Sequence, residues 1–125
     1  GDDFDAYLAT FRPVLIPQIE TLEGISAAEE LAGDDAVDGF FFGPYDLSCD
    51  LDKPAQFATP EFQKCKDRIK AACARHSKAP GMHQVAPDTE ALQGLIDEGF
   101  RLIAYGNDVI AMRHALSGIC RFTSA

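Results

Sequence analysis

Gly39-Phe40-Phe41-Phe42-Gly43-Pro44-Tyr45-Asp46-Leu47-Ser48 is an apolar run that breaks on Gly-Pro and leads at once to a carboxylate. Proline has no N–H and biases its predecessor toward extended geometry, so 39–42 reads as a buried strand that stops at Gly43. Asp46 is the first acid past that strand end. Asp is a good N-cap, so Leu47 and Ser48 open a short helix in this reading. Free N–H groups at a helix start attract anions. Two readings stand side by side: a junction capped by Asp46, and a strand-end site that uses it.

A second stretch bears on that choice. Val14-Leu15-Ile16-Pro17-Gln18-Ile19-Glu20 is also an apolar run that ends in polar groups. Strand side chains alternate, which puts Val14, Ile16, Gln18 and Glu20 on one face. Parallel α/β folds carry their chemistry at the carboxyl ends of strands. Glu20 and Asp46 would then stand at the ends of consecutive strands, two hard oxygen ligands suited to Mg²⁺ or Mn²⁺.

The remaining elements follow in order. Phe4, Tyr7, Leu8 and Phe11 have helical spacing, and Pro13 ends that helix. The first strand is read over Val14–Ile19. Ser26-Ala27-Ala28-Glu29 has the form of a capping box, so a helix is expected over 27–32. Thr59-Pro60-Glu61 is a helix start, with Phe62, Cys65, Ile69, Ala72 and Cys73 as its buried stripe. Lys64, Lys66, Arg68 and Lys70 read as its solvated face. Pro80-Gly81-Met82-His83-Gln84-Val85 is a third strand, and Asp88 caps a helix that turns Leu92, Leu95 and Ile96 to the core. Gly99-Phe100 fits a helix-terminating glycine with its apolar follower. Arg101–Tyr105 is the fourth strand. A last helix has Val109, Met112, Leu116, Ile119 and Cys120 as its stripe. Alternation of strands and helices implies a parallel sheet.

Gln18-Ile19-Glu20-Thr21, the Gly-Pro-Tyr-Asp-Leu-Ser run, Pro80-Gly81-Met82-His83 and Ile103-Ala104-Tyr105-Gly106-Asn107-Asp108 together resemble the HpcH/HpaI aldolase family. The resemblance runs from about Tyr7 to about Met112. It implies an α/β fold: the C-terminal half of a TIM (β/α)8 barrel, about four parallel βα units in one segment, 1–125. It implies a metal-dependent pyruvate aldolase, with Glu20 and Asp46 holding a divalent ion (Mg²⁺, Mn²⁺ or Co²⁺). The substrate-binding set it implies is Gln18, Gly43, Tyr45 and Asp46. The backbone N–H groups of Tyr45 and Asp46 would receive the carboxylate of a pyruvate-like 2-oxo acid. The base histidine and the arginine of the family's site belong to its N-terminal half, and no segment here matches either. His83 is the only candidate for proton chemistry in this half, against a packed and hydrogen-bonded role. His76 and His114 read as structural or solvated.

Length and composition are compatible with this. The sequence has 125 residues, enough for one core, whereas a full barrel of this type takes ~250. A net charge of −9 argues against nucleic acid and anionic membranes, but a bound cation can reverse the local field for a small anion. No run approaches a membrane span, the acidic Gly1-Asp2-Asp3 start does not read as a signal peptide, and four unclustered cysteines read as free thiols in the cytoplasm. There is no G-x-S-x-G, P-loop or G-x-G-x-x-G, so neither a serine hydrolase nor a nucleotide cofactor is supported. The rival readings are a non-catalytic half-barrel that binds metal or 2-oxo acid or serves assembly, and a citrate-lyase-type cousin. An open half-barrel would also lose the opposite half of its inward face, read here as Val14, Ile16, Phe40 and Phe42. It is therefore expected to pair with the missing half or with a second copy.

Overall fold

The computed structural model describes residues 2–119. Helix α1 (Asp2–Thr10) precedes four βα units: β1 (Gln18–Ile19) and α2 (Leu22–Gly33); β2 (Gly39–Phe42), α3 (Pro44–Asp50) and α4 (Pro60–Arg75); β3 (Ala79–Gln84) and α5 (Thr89–Asp97); β4 (Leu102–Tyr105) and α6 (Asp108–Leu116). The strands form one parallel sheet in the order β1-β2-β3-β4. Chain order and sheet order coincide, as they do around a barrel, and the carboxyl ends of all four strands lie on one rim. This is the α/β half-barrel expected from the sequence. Both outer strands have an open edge.

The first strand is much shorter than the expected Val14–Ile19. Pro17 cannot donate to a ladder, so regular pairing begins only at Gln18. The extended segment still lies beside β2, because Asp38 N donates to Leu15 O and Phe41 N to Pro17 O. Helix α2 also differs: it starts at Leu22, not at Ala27. Thr21 is its cap and accepts from Gly24 N at 3.0 Å, while Ser26 sits inside the helix and bonds back to Leu22 O. A hydroxyl one turn earlier thus takes the N-terminus, and the Ser26 box is only a helical surface turn.

Helix α4 follows its sequence signal. Thr59 caps it, Pro60 opens it, and Phe62, Cys65, Ile69, Ala72 and Cys73 are all buried. Its basic residues are not simply solvated. Lys66 donates to Glu98 at 2.8 Å and its side chain is only 13% exposed, Arg68 donates to Ser26 O, and Lys70 lies 5.6 Å from the Phe100 ring centroid. These side chains tie α4 to the helices on either side. Burial pushes the Cys73 thiol up to about 11 and also raises Cys65, so both act as small hydrophobes. Gly99 takes φ +98° and Phe100 behind it is buried, the expected helix stop.

The core corrects one expectation. Phe40 and Phe42 are fully buried, with Ile19, against α2 and α4. They do not share the face of Val14 and Ile16. Phe41 and Gly43, of opposite parity, point to the other side of the sheet with Gln18. Leu92, Leu95 and Ile96 do not form a buried face of α5 either: none is buried, and Ile96 is well exposed. The apolar side chains Phe4, Tyr7, Leu8 and Phe11 of the N-terminal helix region, and Val109, Met112, Leu116 and Ile119 at the other end, are exposed as well. Cys120, expected on the last stripe, lies outside the described residues.

Two measurements check this packing. Phe62 is 1% exposed and meets Phe42 edge-on at 5.4 Å, so Phe62→Ala should cost about 3–5 kcal/mol in denaturant unfolding. A loss below about 1 kcal/mol would mean the α4–sheet core is not formed as described. On the surface, Glu29 accepts from Arg75 and His76 of the α4 end, and these bonds, Arg75 first, hold its pKa at about 2. A depressed carboxylate contributes stability above its unfolded pKa and loses it as pH falls through the folded value. In a side-chain NMR titration Glu29 should therefore protonate near pH 2, and Arg75→Ala should move it back up.

Candidate functional site

The site grows from the strand register. Gln18 lies opposite Phe41 and Ile19 opposite Phe42, and Phe42 lies opposite Met82. One residue further along each strand come Glu20, Gly43 and His83. All three lie at the carboxyl rim, on the face away from α2 and α4. Gln18 and Glu20 share that face, and Gln18 Nε2 donates to Glu20 Oε2 at 2.6 Å.

Gly43 makes this approach possible. A Cβ at position 43 would stand 2.8 Å from Glu20 Cβ, 2.9 Å from Gln18 Nε2 and 3.0 Å from Glu20 Oε2. Its φ of −94° suits any residue, so the need for glycine is one of space alone. The amide and carboxylate are pressed against bare backbone where α3 begins.

Asp46 is not the N-cap considered from the sequence. Gly43 takes the cap position without a side-chain bond, Pro44 is the first helical residue, and Asp46 falls in the first turn. Proline's fixed φ favours that first position, which moves the helix start three residues ahead of the Asp46 cap reading. Asp46 is exposed, and no hydrogen bond to its carboxylate occurs among the described residues. Its charge lies at the positive end of α3. The N–H groups of Tyr45 and Asp46, in the first turn, have no intrahelical carbonyl to bond. Ser48 holds the turn from below: its buried hydroxyl donates to Tyr45 O at 2.6 Å and accepts from Ala55 N at 2.9 Å.

These groups surround a cavity of about 130 Å³, lined among others by Gln18, Phe41, Gly43, Tyr45, Asp46 and His83. His83 Nε2 lies 2.9 Å from Gly106 O. A carbonyl only accepts, so the ring proton sits on Nε2 and a neutral His83 keeps its lone pair on Nδ1. It is at once hydrogen-bonded and a wall of the cavity. Sequence reading missed Phe41 and Val85 as lining residues. The parity of Phe40 and Phe42 was the signal for Phe41, once either is known to be buried.

Gln18 and Glu20 meet at Gly43, whereas Asp46 lines the cavity and Glu20 does not; the two carboxylates and the amide oxygen are nonetheless the oxygen donors a small hard cation takes. Among the described residues no three His, Cys, Asp or Glu side chains cluster as ligands. A pair is enough for Mg²⁺ or Mn²⁺, which keep several waters and bind substrate oxygens beside one or two carboxylates.

Comparison with known proteins adds the following. A family model described as HpcH/HpaI aldolase/citrate lyase matches residues 10–115. A hydroxypyruvate/pyruvate aldolase of Delftia acidovorans is 36% identical over 101 residues, covering 81% of this chain and 37% of that protein. A 5-keto-4-deoxy-D-glucarate aldolase of Klebsiella pneumoniae is 31% identical over 101 residues, covering 81% of this chain and 39% of its own length. Among solved structures, an HpcH/HpaI aldolase/citrate lyase family protein from Burkholderia cenocepacia superposes with a TM-score of 0.84 at 28% identity, over 95% of this chain and 46% of the other. The chain spans less than half the length of these relatives.

Gly43→Ala tests the close approach. Overpacking should cost about 1–3 kcal/mol and displace the Gln18 side-chain amide resonances. Unshifted resonances at wild-type stability would show that the cradle is looser than described.

Proposed function

This chain belongs to the HpcH/HpaI aldolase/citrate lyase family, and on that footing we propose that it supplies the cation- and carboxylate-binding half of a carbon–carbon lyase site. Membership supports lyase chemistry in general. The finer reading is an aldolase that cleaves 4-hydroxy-2-oxo acids to pyruvate and an aldehyde, acting in the cytoplasm. The observation that carries it is the Gly43 cradle, which packs the Gln18–Glu20 pair against the start of α3. Such a cradle is hard to explain as mere packing, because it concentrates polar oxygen at a strand rim.

The residues have separate tasks in this reading. Glu20 and Asp46 hold a divalent cation. When bound, that ion supplies Lewis-acid polarisation of substrate oxygens. The N–H groups of Tyr45 and Asp46 receive the substrate carboxylate, aided by the positive end of α3. Gln18, fixed by Glu20, orients its amide toward the same space. His83 forms a polar wall, its Nδ1 left as a basic nitrogen beside the site. The main acid–base groups belong to the half of the barrel that this sequence does not span. That half would also cover the open strand edges and the half-buried Phe41 and His83.

Three expectations follow from these roles. Calorimetric titration with Mn²⁺ should give binding to the wild-type chain, and Glu20→Gln or Asp46→Asn should abolish it with little loss of fold. Unchanged affinity in both variants sinks the assignment. The chain alone should show no appreciable pyruvate release from 4-hydroxy-2-oxo acids, since a missing base typically costs 10²–10⁴-fold. Brisk turnover would make His83 the base. Light scattering should find the chain paired rather than monomeric at tens of micromolar, because its edges and lumen face are open. If the chain bound Mn²⁺ and pyruvate but stayed inert when joined to its complementary half, it would be a binding module and not a lyase.

A further inference from the structure

A second cavity, of about 270 Å³, opens between the α3–α4 loop region and the β3–α5 connection. It is larger than the first, and the two share Pro44, Tyr45, His83 and Val85 as walls. Its remaining apolar lining includes Phe57, Phe62, Met82 and Leu95. All of these belong to neighbouring βα units of this chain, so the cavity is bounded without the other half of a barrel.

Its polar lining is partly engaged within the fold. Lys66 Nζ donates to Glu98 at 2.8 Å, Gln63 Nε2 to Phe57 O at 2.7 Å, and Gln84 Nε2 to Ala86 O at 3.1 Å, while His83 Nε2 is held by Gly106 O at 2.9 Å. These groups are each held by one partner, and an occupant meets more apolar than polar wall. Its walls are also stiff. Tyr45 meets Phe57 edge-on at 5.0 Å, Phe57 meets Phe62 at 5.3 Å, and Phe62 meets Phe42 at 5.4 Å. This row of rings runs from the fully buried core to the half-exposed Tyr45 and fixes the wall between the cavities. An apolar cavity of about 150 Å³ binds benzene, so the space here is ample for a phenyl ring or a short aliphatic chain.

We propose that this second cavity is a binding subsite for an apolar group, and that Tyr45 is the wall residue that guides such a group past the strand-end site. Resting on the lyase reading above, the group is the apolar tail of the aldehyde half of the substrate. The carboxylate end would lie at Tyr45 and Asp46 N–H, and the tail would turn behind the Tyr45 ring toward Leu95 and Met82.

The test uses the chain itself, first without metal. Para-fluorotoluene is titrated in and followed by fluorine NMR. Saturable binding is expected in the wild type, weakened about tenfold or lost in Leu95→Trp, which fills the cavity, and unchanged in Met112→Lys, which alters a distant exposed apolar patch. If Leu95→Trp fails to fold, Val85→Phe fills the space from the β3 side and is read the same way. Absent saturable binding, or equal binding in wild type and filled variant, overturns the subsite. Mn²⁺ is then added. Broadening of the bound probe's line in the wild type, and none in Glu20→Gln, places the cavity beside the cation site; Mn²⁺ uptake without broadening overturns the tail assignment. Probe binding without Mn²⁺ uptake strikes down the cation site alone, whereas Mn²⁺ uptake without probe binding strikes down the cavity alone.

Discussion

Burial of Phe40 and Phe42 under α2 and α4 fixes the facing of β2, and with it the facing of everything paired to β2. A strand has period two, so a slip of one residue would expose both rings and bury the opposite set. With Phe40 and Phe42 turned to the helices, Phe41 and Gly43 must face the other way. The parallel register then brings Gln18 beside Phe41, and Glu20 and His83 beside Gly43. The polar rim is thus a by-product of packing two phenylalanines. It needs no separate device to bring three strands' end residues together.

The same packing extends outward into the turn that carries Tyr45 and Asp46. Phe62 of α4 sits on Phe42, Phe57 on Phe62, and Tyr45 on Phe57. Ser48 adds a polar staple between Tyr45 O and Ala55 N, which holds the α3–α4 loop over the same turn. Asp50, at the end of α3, accepts from Leu22 N at 2.6 Å and ties α3 to the start of α2, two residues from Glu20. Glu20 is therefore packed against Gly43, while the Asp50 bond ties the helix that carries Asp46 to the segment just after Glu20.

Helix-to-helix polar contacts do a different job. Arg75 and His76 meet Glu29, Arg68 meets Ser26 O, and Lys66 meets Glu98. The first is exposed and contributes little to stability despite its effect on the Glu29 carboxyl. Lys66 is largely covered, and both partners of its bond line the second cavity. A charge pair there uses up the one cation that would otherwise make that space attractive to anions. The acidic surface and the neutralised cavity together favour an uncharged tail over a second carboxylate.

Much of this was legible in the residues themselves. The βα alternation, the Thr59-Pro60 start, the Gly99 stop and the stripe of α4 are local signals, and local propensity and side-chain period carry them. Gln18-Ile19-Glu20 and Gly43-Pro44-Tyr45-Asp46 likewise marked the strand ends, because strand parity and proline are local too. What they could not settle was competition between neighbours. Thr21 outbid Ser26 for the α2 cap, and Pro44 displaced Asp46 from the α3 cap, since each position had two residues able to serve and only the surrounding path chose. Which face of β2 met the helices was equally undecided, for Phe40-Phe41-Phe42 is apolar on both sides. That choice, the clearance at Gly43 and the second cavity behind Tyr45 depend on atoms brought from distant parts of the chain, and only the tertiary packing decided them.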